Sequence, residues 1–153
     1  MRRSLELLWI CTTLVCAGPA LTGEPAAPVA NDDYAARIIG PDANRNTVRD
    51  DIDAYIDSTY PDPREHAAMV QFAQAYTQLL IHGGTVAGAR AATKDVARAV
   101  QCGIGVFGDS NIEKQKAVLA MILNSEARFQ AYTVSTHNEE GQVVERFTGE
   151  PCL

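Results

Sequence analysis

The amino-acid sequence predicts an all-α fold, a single small bundle of four or five helices that ends in either a short β-hairpin or an extended tail. Three observations carry this expectation. From residue 45 onward apolar residues recur every three or four positions, the period of a helix with one buried face. Gly, Pro and Asn-Ser pairs cut that pattern into segments of helical length. Residues suited to helix N-caps stand at the starts of those segments.

The first helix follows Thr47-Val48-Arg49-Asp50, which resembles a capping box, and carries Val48, Ile52, Tyr55, Ile56 and Tyr60 at helical spacing. Pro61-Asp62-Pro63 stops it and opens a second helix, with Asp62 as N-cap and Pro63 at the first helical position. That helix runs to about Ile81, its buried stripe being Met69, Phe72, Tyr76 and Leu79/Leu80, and Gly83-Gly84 ends it. A third helix is expected from Thr85 to about Phe107 with Val86, Val96 and Val100 inward; its alanine-rich centre suits close helix contact, and Gly108 closes it. Ser110-Asn111-Ile112-Glu113 forms a second capping box, for a fourth helix through Leu123 that is apolar nearly all round and so expected to be buried. Ser125 caps a fifth helix holding Phe129 and Tyr132. Beyond it, residues 133–136 lean towards β, 137–141 resemble a turn and 142–147 can pair back as a strand; a frayed helix followed by an extended tail is the equal alternative.

Ahead of the bundle, Met1-Arg2-Arg3 is a basic start, residues 7–17 (LLWICTTLVCA) are an uncharged apolar run of 11, and Gly18-Pro19-Ala20 are small. This order is that of a secretory signal peptide, cleaved after Ala20. The run is well short of the ~20 residues a membrane span needs. Residues 21–33 then read as a flexible Pro/Ala-rich linker and 34–153 as one helical domain, located in the periplasm or secreted. Removing Arg2, Arg3 and Glu6 leaves 11 Lys+Arg against 18 Asp+Glu, a net charge of −7, which gives no electrostatic reason to bind nucleic acid or anionic lipid. Cys11 and Cys16 leave with the signal. Cys102 and Cys152 remain in an oxidising compartment and are expected to form a disulfide.

Residues 106–111 (VFGDSN) resemble the first block of the GDSL esterase/lipase family, and that resemblance implies Ser110 as nucleophile. The family's Asp-x-x-His base has no counterpart downstream, since Val134 stands three places before His137. The residues are equally those of a helix N-cap, and the cap is the expected role. Residues 103–108 spell GxGxxG, but a helical segment precedes them where a dinucleotide fingerprint needs a strand, so the glycines are read as close-packing positions and no cofactor is expected. Residues 42–53 begin like an EF-hand or dockerin-type calcium loop, with Asp42, Asn44, Asn46, Asp50 and Asp53 at positions one, three, five, nine and twelve. Thr47 where glycine is wanted, Arg49 where an apolar residue is usual, short Asp53 and the lack of a convincing incoming helix depart from it. His66, His82 and His137 are scattered, and no zinc motif is present.

Two like-charge rows remain: Asp50, Asp53 and Asp57 on the first helix, and Arg90, Lys94 and Arg98 on the third. The functional expectation is a non-enzymatic exported protein that binds another protein through the Asp50/Asp53/Asp57 face. Its size, export and helicity are those of periplasmic immunity proteins that neutralise a toxin or envelope enzyme. A hydrolase using Ser110 and a calcium module built on 42–53 are the alternatives.

Overall fold

The structure, a computed structural model, describes residues 32–153. The signal peptide, Cys11, Cys16 and residues 21–31 of the expected linker lie outside the described residues. Six α-helices follow in order: α1 (Asp32–Ile39), α2 (Asp50–Thr59), α3 (Pro63–His82), α4 (Val86–Phe107), α5 (Asn111–Ile122) and α6 (Glu126–Asn138), with a 3-10 turn at Gly108–Ser110. No strand occurs among the described residues, and the fold is an all-α bundle.

Helix α3 is the axis of the bundle. It packs against all five other helices. Asp62 starts it by accepting the N–H groups of Arg64 (2.9 Å) and Glu65 (3.2 Å), with Pro63 in the first turn where no N–H partner is needed. Because neighbours surround it, its buried set extends beyond the predicted stripe to Ala68, Gln71, Ala73, Ala75, Thr77 and Ile81. Met69, Phe72 and Leu80 are fully buried, as are Ile52 and Ile56 from α2 and Tyr60 at its C-cap, and each contributes roughly 1.5–3 kcal/mol of transfer free energy.

Up to Phe107 the buried positions of α4 are small: Ala89, Ala92, Ala99, Cys102 and Gly103. Small side chains let two helix axes approach closely. Val86, expected inward, is the first residue of α4 and is 49% exposed, because the helix begins outside the contact. Gly103 matters most. A Cβ there would lie 2.3 Å from both Asn111 Oδ1 and Gln115 Nε2, so α5 packs onto a backbone that only glycine leaves bare. That is the role expected of the first glycine in GxGxxG.

Two expected caps are absent, for local reasons. Helix α2 starts at Asp50 with Arg49 as N-cap and no side-chain cap bond, while Thr47 has a left-handed backbone (φ +67°). Asp42 and Asn46 capture the loop amides first: Asp42 accepts from Asn46 and Thr47 (3.1 and 2.9 Å), and Asn46 Oδ1 accepts from Val48 (2.8 Å). Ser110 likewise makes no cap bond, because its backbone is already in the right-handed helical region and its hydroxyl turns back to donate to Phe107 O (2.9 Å). Ser125 does cap α6, through Arg128 N–H (3.3 Å).

The β-leaning stretch 133–136 lies inside α6, which continues to Asn138. Docking overrides propensity here. Ala131 and Ser135 are buried, Gly83 fits against Ser135, and the hydroxyls of Thr133, Ser135 and Thr136 bond to carbonyls of their own helix. Beyond Gly141 the chain is an extended tail; the hairpin does not form.

Helix α1, starting at Asp32 within the stretch read as linker, is held at its end by Arg128, and Arg49 does the same for α5. Arg128 donates from Nε to Ile38 O at its C-terminus (2.7 Å), and Arg49 donates to Met121 O near the end of α5 (2.9 Å). Both guanidiniums complement the negative end of a helix dipole. Gly40, left-handed at φ +79°, lets the chain pass between them; a Cβ there would sit 2.9 Å from Arg128 Nη2. Burial, then the Arg49 charge, pulls the Arg128 pKa down from its ordinary value.

Candidate functional site

The carboxylates of α2 are built from the loop upward. Ile52 and Ile56 point into the core, so the opposite side of this ten-residue helix faces outward. There Asp50 and Asp57 are exposed and Asp53 is half-buried. Each carboxylate has an intramolecular partner. Asp50 Oδ1 accepts Ala43 N–H (2.8 Å), and Asp57 Oδ1 bonds His66 Nε2 (2.8 Å). Asp53 accepts from the side-chain amides of Asn44 (3.0 Å) and Asn46 (3.0 and 3.2 Å). Asp51, exposed beside them, is paired with Arg49, whose hydrogen bond holds the carboxyl below the usual carboxylate range.

This geometry splits the row. Asp53 is tied into the 42–53 loop by two side-chain amides and Asp50 by the Ala43 N–H alone, and Asp50 and Asp57 are exposed and oriented by one bond each.

The same loop is flanked by α1 and α2, so a helix does enter it, and Arg45 and Thr47 are left-handed at φ +60° and +67°. Its oxygens are engaged with protein donors, and for Asn44 and Asn46 to ligate calcium their amides must turn the oxygen inward. No group of three or more His, Cys, Asp or Glu side chains suited to a metal occurs among the described residues.

Ser110 is exposed in the 3-10 turn, and its hydroxyl bonds only to Phe107 O. The three histidines are elsewhere: His66 on Asp57, His82 on Gln78 and His137 beside Glu140. Next to the turn, a cleft of about 460 Å³ between α3, α4 and α5 is lined by Phe72, Val100, Ile104, Ile112 and Leu119 among others; Ser110 is not in that lining. Asn111 Oδ1 and Gln115 Nε2 are buried without partners, pressed against Gly103.

Cys102 and Cys152 form the expected disulfide, with Cα atoms 4.9 Å apart. The basic row on α4 is not a free face, because the C-terminal tail lies along it. Arg98 donates to Pro151 O (3.0 Å) and lies 4.8 Å over the Phe147 ring. Gln71, Gln101, Arg49 and Arg128 each bond across the bundle, yet nothing in their spacing singles them out. Their partners are backbone carbonyls and amides many residues away in sequence.

No helix among the described residues is long and apolar enough to cross a membrane. No protein family, no curated protein and no solved structure matches the chain.

Proposed function

We propose that the mature chain is an exported, non-enzymatic protein that works by binding another protein, a basic toxin or envelope enzyme, in the manner of an immunity protein. The observation that carries this reading is the outward side of α2, where Asp50 and Asp57 are exposed and positioned by one hydrogen bond each. An acidic chain with a rigid acidic face steers a basic partner and speeds its association. The hydrolase alternative has less support, since the Ser110 hydroxyl bonds to a backbone carbonyl rather than to a base.

The test is capture of a stoichiometric partner from the envelope fraction by the mature protein, followed by kinetics with Asp50→Lys/Asp57→Lys. Asp53 is left intact because reversing it would break the loop. Association about tenfold slower, with a flatter salt dependence, is expected. Binding unchanged by the double reversal refutes the α2 face as the partner surface.

A calcium module is the second reading. It is favoured by the helix–loop–helix frame of α1, loop and α2, and by the left-handed backbone at Arg45 and Thr47. Calcium at a hundredfold over its dissociation constant then stabilises the fold by about 2.7 kcal/mol. A melting temperature that does not respond to millimolar calcium removes this reading.

A further inference from the structure

Residues 142–153 have no regular secondary structure, and their side chains bury little: Val143 is 88% and Leu153 81% exposed. The segment is held instead by its main chain. Gln101 Nε2 donates to Phe147 O (3.0 Å) while its Oε1 accepts Phe147 N–H (3.1 Å). Gln71 holds two residues of the backbone, donating to Pro151 O (2.9 Å) and accepting from Leu153 N–H (3.0 Å). Arg98 adds donors to Pro151 O (3.0 Å) and Glu150 O (3.3 Å), and stacks over Phe147.

A side-chain amide that meets both N–H and C=O of one residue does what a neighbouring strand does in a sheet. Such a contact is indifferent to the side chain presented. The segment covers the α4 face that carries Arg90, Lys94 and Arg98, and it bears Glu145 and Glu150 with Arg146 between them. The fit is incomplete. A cleft of about 410 Å³ remains between α4 and the segment, lined by Lys94, Ala97 and residues 142–148, and Gln142 Oε1 is buried there without a partner.

We propose that this face of α3 and α4 is a groove for an extended acidic peptide bearing an aromatic residue, occupied in cis by the protein's own tail until Cys102–Cys152 is reduced. The groove is separate from the α2 surface and does not depend on it. Gly141, left-handed at φ +74°, marks the turn after α6 about which the tail leaves. A dithiol reductant opens the strap: its two thiols are oxidised to a disulfide, and Cys102 and Cys152 each become a thiol, taking up two electrons and two protons in all. With the covalent link gone the tail competes only as a flexible tether, and a peptide in trans can replace it.

Disulfide capture on the full mature chain tests this. Cys152→Ser leaves Cys102 as the thiol, and the probe is the symmetric disulfide of a synthetic peptide with the sequence of residues 142–153. Attack by Cys102 leaves one peptide bound and releases the other as a thiol, a mass change read on the intact protein. Capture about tenfold faster than that of a scrambled peptide with the same cysteine position is expected, slowed about fivefold by Gln101→Ala. Oxidised wild-type protein captures neither. The comparison is repeated on Cys152→Ala, so the outcome does not depend on one variant folding and no second thiol can expel the captured peptide. Equal rates for native and scrambled peptides overturn the groove. Absence of any capture overturns it too, because the tail then never leaves.

Discussion

Breaking Cys102–Cys152 with Cys152→Ser is expected to lower the unfolding free energy by up to about 4 kcal/mol. The bond spans 50 residues of sequence. The chain-entropy relation for a loop of that length gives roughly −14 cal/mol/K, or about 4 kcal/mol at 25 °C. Losses on the folded side are small. The tail's side chains are largely exposed, and its hydrogen bonds to Gln71 and Gln101 can persist without the covalent link. Nearly all of the effect therefore sits in the unfolded state, which gains the freedom of an open loop. Cys152 is the better position to change, because Cys102 is 1% exposed and a serine there would also bury a hydroxyl. Urea unfolding followed by far-UV circular dichroism, on oxidised, reduced and variant protein, measures the difference. The native helical signal should be unchanged, since residues 142–153 contribute no helix, while the denaturant slope rises as the uncrosslinked chain exposes more surface. A melting temperature lower by roughly 10–15 °C corresponds to the full value. A loss below about 1 kcal/mol, or two readily alkylated thiols in native protein, refutes the reasoning.

Two of the three glycines of α4, Gly103 and Gly105, make opposite predictions. Gly103→Ala should destabilise by about 1–3 kcal/mol by forcing Asn111 and Gln115 apart from α4, whereas Gly105→Ala, whose Cβ meets nothing within 4 Å, should stabilise by up to about 1 kcal/mol; thermal melts of both variants decide it. Ser125→Ala should cost about 1 kcal/mol through loss of the α6 cap, and Ser110→Ala under about 0.5 kcal/mol, which denaturant midpoints resolve; equal costs would mean that Ser110 caps after all. Burial pushes the hydroxyl of Tyr76 up to about 12, with the Tyr132 and Glu139 charges adding to the rise. The unfolded chain loses this proton near pH 10, so the contribution is complete below pH 10 and disappears as pH rises from 10 towards 12. Tyr76→Phe should flatten the alkaline fall in urea midpoint, and an unchanged slope contradicts the assignment.

Most of the helices were legible because their signals are local. Asp62-Pro63 and Ser125 are start signals read over three residues, and the apolar period of α3 survives whatever packs around it. The cysteine pair was legible by elimination, since setting aside Cys11 and Cys16 in the signal-like stretch leaves two cysteines with one way to join. Ser110 and Thr47 show the limit. Both sit in cap-like sequences, but whether a hydroxyl caps depends on its own backbone angles, and those were decided by the Phe107 carbonyl and by Asp42. The sequence by itself determined the all-α class, the order of the helices from residue 50 onward and the disulfide, each a matter of neighbouring residues or of counting. Only the tertiary structure decided that 133–136 is helix, that α1 precedes the acidic loop, that Arg49 and Arg128 close helix ends across the bundle, and that the tail covers the basic row of α4. Those outcomes rest on contacts between residues far apart in the chain, for which spacing carries no signal.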